Sequence, residues 1–331
     1  MRRRLRERRD DLVRLAVRRA SVAPFVVLAV TLGTFALAAA SPVDPLAAGL
    51  GAGYERTTEA ERAAAAAALG LDVPWWRAWW DWLTDLAAGD AGYSFVFRQP
   101  VADVVAERLP WTVGLSAAGL AIALAVTVLA GLAAARRPGG LVDRGLAALA
   151  IATSAVPTFA LALGSVAVFS VALGWLPVSG AAPPGTAPTA LDVLRHSVLP
   201  VLALAAGQVP WLVLAFRRAV LEAGATTAVA EARARGLGDR TVLTGHVAPV
   251  AWAPLIALAG ARIPEIMVGS LVVETVFAWP GLSAATVDGA LEADFALLAT
   301  ATVLAAVSVL AATWAADSLQ LVADPRVRID A

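Results

Sequence analysis

Six apolar segments, separated by polar and Arg-bearing stretches, recur along the chain. They are Val22–Ala40, Thr112–Ala134, Leu146–Leu173, Val198–Phe216, Ala251–Val273 and Ala296–Leu319. At a helical rise of about 1.5 Å per residue, each can cross a hydrocarbon layer of about 30 Å. The pattern predicts an all-α polytopic membrane protein with six transmembrane helices. Pro157 in the third segment predicts a tilt or a kink there.

Composition supports a membrane protein, because 59% of the 331 residues are hydrophobic and only 16% are charged. The first apolar segment follows a strongly basic stretch and could instead be a signal peptide. It is long for that role, and Ala38–Ala40 is its only cleavage-like sequence. A retained transmembrane helix is therefore the favoured interpretation.

The Arg distribution predicts how the chain is oriented. With both termini cytoplasmic, nineteen Arg lie on the inner side and six on the outer side, with Arg262 left inside the fifth segment. This excess inside is what the positive-inside rule requires. The predicted order is a basic cytoplasmic N-terminus (1–21), a first helix (22–40), an extracytoplasmic loop with short helices (41–111), a five-helix core (112–319) with an inner loop (217–250), and a cytoplasmic tail (320–331).

The long outer loop carries two helical patterns. Thr58 and Glu61 have the spacing of a capping box that opens an Ala-rich helix over Glu59–Ala68, which Gly70 can end. A second helix is predicted from the spacing of Trp75, Trp76, Trp79, Trp80, Trp82 and Leu83, which places four Trp on one face. That face could lie on the outer leaflet or pack against the helix bundle; a carbohydrate-stacking surface is a third, weaker reading.

Several kinds of chemistry are excluded or unsupported. All 26 basic residues are Arg, so a Walker A motif, which needs Lys, cannot occur, and cysteine is absent. The zero net charge gives no indication of nucleic-acid binding. His196 and His246 fall on opposite sides of the membrane in this topology, and Asp192 and Ser197 beside His196 have no accompanying oxyanion-hole motif. The sequence therefore supports neither a metal site nor an enzyme.

Three ionisable residues lie within or near the last two segments. Arg262 and Glu265 are three residues apart and can pair on one helical face, and Asp317 is close to the inner end of the sixth segment. Intramembrane charges are costly and often functional. Two interpretations stay open: an ion pair that orients helices, or a part of the translocation path.

The inner loop contains a short helical stretch of small residues that Gly236 can end in the left-handed conformation. Glu231 and Arg235 are spaced to form a supporting side-chain pair. Small side chains would let this helix approach a partner protein closely.

This stretch resembles the EAA loop of ATP-binding-cassette (ABC) importer permeases, in which Gly236 and Pro249 have the expected spacing. The order Ala230-Glu231-Ala232 departs from the usual start. However, Ala232-Arg233-Ala234-Arg235-Gly236-Leu237 is similar to the core of the dipeptide/oligopeptide/nickel branch, with Arg in place of Lys.

Further landmarks resemble the same branch, and its first-subunit type in particular. The clearest is a signature that contains Glu274, Thr275, Phe277, Trp279, Pro280 and Gly281. The others are Gly89–Ser94, Arg108–Pro110, Gly174–Gly180 and the tail Ala323–Arg328, with looser matches at Pro42–Leu46 and Leu69–Pro74.

The resemblance implies a permease in the plasma membrane of a prokaryote that forms half of a pore with a second homologous permease subunit. Two separate ATP-binding subunits would carry ATP and Mg, so that this chain itself needs no cofactor, and an extracytoplasmic solute-binding protein would deliver the solute. The residues that would couple to the ATPase are Glu231, Ala232, Arg233, Arg235, Gly236, Leu237, Asp239, Arg240 and Pro249. The solute would be a peptide, a nickel chelate or a sugar.

Two other classes compete with this interpretation. A secondary transporter would need mid-membrane coupling carboxylates and repeated halves, but Glu265 is the one candidate and no internal repeat is evident. A membrane scaffold would not need the Gly236–Pro249 spacing.

Overall fold

The structure is a computed structural model that describes residues 2–41, 51–68 and 72–323. Pro42–Leu46, Leu69, Gly70 and the tail residues 324–328 lie outside the described residues, so the landmarks and the helix end predicted there stay predictions. The described chain is overwhelmingly helical, as the apolar pattern predicts.

The helices begin and end as follows, with short connections between most of them. They are α1 (Arg2–Ala39), α2 (Glu59–Ala68), α3 (Trp75–Ala87), α4 (Val101–Ala135), α5 (Leu141–Ser154), α6 (Thr158–Ser165), α7 (Ala190–Gly224), α8 (Thr227–Ala234), α9 (Asp239–Val242), α10 (Ala248–Ala261), α11 (Ile263–Val276), α12 (Leu282–Leu291) and α13 (Phe295–Ala323). A 3-10 turn covers Gly51–Arg56, and π-helical turns cover Val166–Ala172 and Leu243–Val247. Strands β1 (Tyr93–Ser94) and β2 (Gln99–Pro100) form an antiparallel hairpin.

Five stretches of the described residues are long and apolar enough to cross a membrane. They are Leu12–Ala39, Val101–Ala135, Ala190–Gly224, Asp239–Ala261 and Phe295–Leu321. A sixth crossing results if α5 and the helix that starts at Thr158 count as one span, but the two are bent by 98°. The predicted kink at Pro157 is therefore confirmed, and Leu146–Leu173 is one span only if this bent pair crosses the membrane as a broken helix. Pro157 has no N–H for a helical hydrogen bond, so the helix ends before it.

The fifth predicted span, Ala251–Val273, is also wrong as one continuous helix. Helix α10 ends at Ala261, and α11 begins at Ile263. Pro264 lacks the N–H that would bond to the carbonyl of Gly260, which explains the interruption beside Arg262. The membrane-crossing stretch instead begins at Asp239.

The described chain divides into two compact units. The first takes its residues from Met1–Arg19, Gly114–Trp279 and Val309–Ala331, and the second from Ala20–Val113 and Pro280–Ser308.

In the first unit, α7 lies at the centre of the core. Its buried residues include Leu212, Phe216 and Val220, and they share one cluster with Val229 and Ala232 of α8. Gly131 of α4 makes room for the Phe216 ring, since a methyl group there would lie 2.4 Å from a ring carbon. Close helix approach at small residues is a usual way to pack helices in membranes. At the edge of this unit, Arg19 and Asp317 form an ion pair at 2.7 Å.

In the second unit, α3 packs against α1 and α13. Trp82 is 8% exposed and lies 5.7 Å from Phe35 between ring centroids, and the Trp79 ring N–H donates to the Thr31 hydroxyl at 3.0 Å. Trp76 and Trp80 are instead 58% and 57% exposed. The prediction of four Trp on one face is therefore wrong, because three indoles pack inward and two face outward. Trp75, Trp79 and Trp82 pack against neighbouring helices, which is one of the two main interpretations of this face.

The hairpin in the second unit is held by Asp294. One oxygen of this carboxylate accepts hydrogen bonds from the Ser94 hydroxyl at 2.6 Å and the Val96 N–H at 3.3 Å. The other accepts from the Leu297 N–H in the first turn of α13. Asp294 is only 1% exposed, so one carboxylate caps a helix and closes a turn.

The capping box predicted at the start of α2 is confirmed. The Thr58 main-chain N–H donates to the Glu61 carboxylate at 2.8 Å, and the Glu61 N–H donates back to the Thr58 hydroxyl at 3.4 Å. Hydrogen bonds from the Thr58 N–H and hydroxyl hold the pKa of Glu61 below its ordinary value.

Candidate functional site: helix α8 and its surroundings

Helix α8 is fixed to the first unit by two side chains. Val229 and Ala232 are fully buried in the α7 cluster, at positions three residues apart on one helical face. The other residues of α8 are exposed, including Ala230, Glu231 and Arg233. Helix α8 is thus anchored on one narrow face, and the rest of its surface is exposed.

The end of α8 is a Schellman motif. Gly236 has φ +79° and donates its N–H to the carbonyl of Arg233 at 2.9 Å, and Leu237 donates to the carbonyl of Ala232 at 3.2 Å. The predicted left-handed Gly236 is thus confirmed. No neighbouring atom lies within 4 Å of where a Cβ would stand, so backbone conformation, and not space, requires the glycine.

The predicted pair between the side chains of Glu231 and Arg235 is wrong. The Arg235 Nε donates to the main-chain carbonyl of Glu231 at 3.3 Å, because Arg235 is the C-cap and turns back over the helix end. The Nε atom of Arg233 instead lies 4.0 Å from the Oδ1 atom of Asp239. Arg240 and Pro249 follow in the first turns of α9 and α10, and both are exposed.

A groove of about 1040 Å³ runs beside this loop in the first unit. The ends of α4 and α7 form one wall, and the segment from Arg233 to Val247 forms the other. Its charged lining residues are Arg136, Arg233, Asp239 and Arg240. The groove is therefore basic, with one carboxylate among three guanidinium groups.

A buried ion pair supports the same region, and no sequence pattern pointed to it. Arg217 of α7 donates two hydrogen bonds to Asp143 of α5, the Nη2–Oδ2 bond at 2.8 Å, and the Gly139 N–H donates to the same carboxylate at 2.8 Å. Asp143 is 1% exposed and Arg217 28%. The pair fixes the α4–α5 turn to the last turns of α7, which α8 follows in the chain.

Arg262 and Glu265 form the predicted ion pair. In addition, the Arg262 guanidinium carbon lies 4.8 Å from the centroid of the Trp211 ring, a cation–π contact. The Arg262 side chain is 16% exposed and that of Glu265 is 51% exposed. The cation is thus held in place, whereas the carboxylate is accessible.

The signature residues form a buried turn at the end of α11. Glu274, Phe277 and Trp279 are 0%, 1% and 3% exposed, and Ala278 has φ +45°. The Trp279 N–H donates to the Glu274 carbonyl at 2.8 Å. Thr275 is exposed, and Gly281 is the N-cap of α12. The main-chain N–H of Gly180 donates to the carbonyl of Phe277 at 2.8 Å, which ties another of the landmarks to this turn.

The structure does not assemble a triad around His196. Its Nδ1 lies 3.0 Å from the Ser179 carbonyl, and Ser197 donates to the Leu194 carbonyl. Asp192 accepts from the Thr189 hydroxyl in a capping box. Asp192, His196 and Ser197 therefore lie in the first turns of α7 and not in an outer loop, and each contacts nearby main-chain or capping groups.

Comparison with known proteins identifies the family. The profile of the family described as "Binding-protein-dependent transport system inner membrane component" matches residues 127–329, and the profile of its N-terminal region matches residues 12–116. Together they cover both the first apolar segment and helix α8.

Proteins from three organisms illustrate the similarity. The oligopeptide transport system permease protein AppB of Bacillus subtilis is 31% identical over 94% of this chain and 98% of its own length. A peptide transport system permease protein of Brucella abortus is 35% identical over 96% and 99%. The di/tripeptide transport system permease protein DppB of Pseudomonas aeruginosa is 31% identical over 90% and 94%. The chain therefore belongs to the family of binding-protein-dependent transport system inner membrane components and is a permease subunit of an ATP-binding-cassette importer.

Proposed function

We propose that this permease imports peptides, with α8 docked into a cytoplasmic ATPase subunit. The observation that carries the coupling role is the exposure of α8 together with its anchorage at Val229 and Ala232. Because α8 is anchored at two buried positions, it can stay helical and transmit a displacement to α7. The relatives' names supply the solute class, and nickel chelates or sugars are the alternatives that the resemblance leaves open.

The proposed assembly pairs this chain with a second homologous permease. Two ATPase subunits carry ATP and Mg, and an extracytoplasmic binding protein delivers the solute; binding-protein dependence is a property of the family. The basic groove beside α8 favours acidic side chains on the docked ATPase surface. ATP-driven closure of the ATPases pushes α8 and switches the pore from inward- to outward-facing.

The proposed topology has both termini in the cytoplasm and six crossings. The Arg excess on the inner side supports this orientation, because reversing it would place nineteen Arg outside. In the same orientation, the second unit contributes the extracytoplasmic segment with α2 and α3.

Uptake by the reconstituted importer tests the function. Proteoliposomes that contain both permeases and both ATPases, with binding protein and a labelled tripeptide outside and ATP inside, are expected to accumulate the peptide. Omission of the ATPase subunits should abolish uptake. Accumulation driven by an ion gradient without ATP would support a secondary transporter instead.

A further inference from the structure

We propose that Glu265, held by Arg262 against Trp211, contacts the ammonium group of a peptide as it passes through the pore. The proposal rests on the function proposed above and adds the chemical group that is recognised and the residue that recognises it. Arg262 acts as a positioning residue. It occupies the Trp211 face, and its pairing with Glu265 fixes the carboxylate.

The cluster lies at membrane depth in the first unit. Trp211 stands about 31 Å from the start of α7 and about 20 Å from its end, taking a rise of 1.5 Å per residue. It precedes Arg217 by less than two helical turns, and the intervening residues are apolar. The ion pair is therefore placed among spans and not in a loop.

A half-exposed carboxylate at this depth is costly beside lipid tails. Helix α4 shows what a lipid-compatible surface of this chain looks like, since its exposed residues include Ile122, Val126 and Leu129. The exposed side of α11 differs, because it presents Glu265, Val268 and Thr275. A stripe with a carboxylate and a hydroxyl fits the wall of a water-filled path.

The geometry leaves Glu265 available for a donor. Arg262 uses one of its two carboxylate oxygens, and an ionised carboxylate only accepts hydrogen bonds. An ammonium group supplies three donors and the opposite charge. Because the pair is neutral as a whole, its attraction for a cation is weak, and weak binding allows a solute to leave again.

The natural lack of cysteine makes a direct test possible. Val268 is 67% exposed and stands one helical turn after Glu265, so Val268→Cys introduces a single thiol beside the carboxylate. In the assembled importer, labelling of this chain by a cationic and an anionic methanethiosulfonate reagent is followed by mass spectrometry. We expect the cationic reagent to react about fivefold faster, relative to the two reagents' rates with free cysteine.

Glu265→Gln in the same background should abolish that preference, and a tripeptide with a free amino end should slow labelling more than its N-acetylated form. Asp81→Asn, which removes the carboxylate of the exposed Arg77–Asp81 pair in α3, is the matched control and should leave the preference intact. Ile122→Cys on α4 should react with neither reagent.

Three labelling results would overturn the proposal. They are a Val268→Cys thiol unreactive toward both reagents, a cation preference that survives Glu265→Gln, and equal protection by the two peptides. The first two do not depend on the solute, and the third counts only where the wild-type importer takes up the peptide with ATP. The proposed function itself fails if the wild-type importer shows no ATP-dependent uptake. The Glu265 proposal would also be overturned if the Glu265→Gln protein no longer assembled with the second permease, because the ion pair would then belong to a subunit interface.

Discussion

Arg217 donates two hydrogen bonds to Asp143, a carboxylate 74 residues away in the chain and only 1% exposed. The Gly139 N–H is a third donor to the same group. One buried anion thus joins α5, α7 and the turn before α5. Helix α7 ends at Gly224, seven residues after Arg217, and the segment that carries α8 follows it.

We predict that Asp143→Ala lowers stability by about 3–5 kcal/mol, because it leaves the Arg217 guanidinium partly buried without its partner. The free energy of unfolding in detergent micelles measures the loss. Replacing Arg217 by Met in the Asp143→Ala background should restore part of it, since the unpaired charge is removed as well. A double mutant as unstable as the sum of the two single mutants would show that the pair is not coupled.

The two kinds of indole on α3 should respond differently to truncation. Trp82→Ala is expected to cost about 3–5 kcal/mol, because its ring fills a cluster with Phe35 and Ala299. Trp76→Ala removes a ring that is 58% exposed and should cost less than about 1 kcal/mol. Unfolding of the two purified variants in detergent compares them directly. Equal losses would contradict the assignment of an inward and an outward face.

Glycine at position 260 is expected to be required by packing. A Cβ there would lie 1.9 Å from the Cβ of Ala316 on α13, so Gly260→Ala must separate α10 and α13 within the first unit. We expect the free energy of unfolding in detergent to fall by about 1–3 kcal/mol, the usual cost of overpacking. Gly145→Ala is the matched control, because nothing lies within 4 Å of that Cβ position and the residue is exposed in α5. The control should be neutral or stabilising, as Ala favours helix.

Local features of the sequence predicted local features of the structure well. The capping box that starts α2, the left-handed Gly236 and the Arg262–Glu265 pair all depend on residues within a few positions of one another. The Glu231–Arg235 pair failed although its spacing is favourable, because the C-cap geometry directs Arg235 to a main-chain carbonyl. Helix spacing rules hold inside a helix and weaken at its end.

Contacts between distant residues left no such local signal. Ser94 and Asp294 are separated by 200 positions, and Asp294 has the appearance of an ordinary helix cap in the sequence. Pro264 did signal the break at Arg262. The predicted segment nevertheless continued across it, because the residues on both sides are apolar. Hydrophobicity measures whether a segment can enter the membrane, whereas proline decides whether it stays one helix.

Gly236→Val should separate folding from coupling. Valine is strained at φ +79°, at a cost of about 1–2 kcal/mol, and would weaken the Schellman end of α8. The buried anchors Val229 and Ala232 are untouched, so insertion and stability of the first unit should remain near normal. We expect ATP-dependent uptake and the stimulation of ATP hydrolysis by loaded binding protein to fall about tenfold, as α8 leaves its docking conformation.

Two variants make this result interpretable. Gly236→Asn should retain most of the uptake, because Asn tolerates the left-handed region. Gly238→Val is the matched control: this glycine lies two residues on, has φ −64°, and has open space around its Cβ position. If Gly238→Val uncouples as strongly as Gly236→Val, bulk in the docking surface and not the backbone conformation of Gly236 is responsible. If Gly236→Val transports normally, α8 is not the element that transmits the ATPase movement.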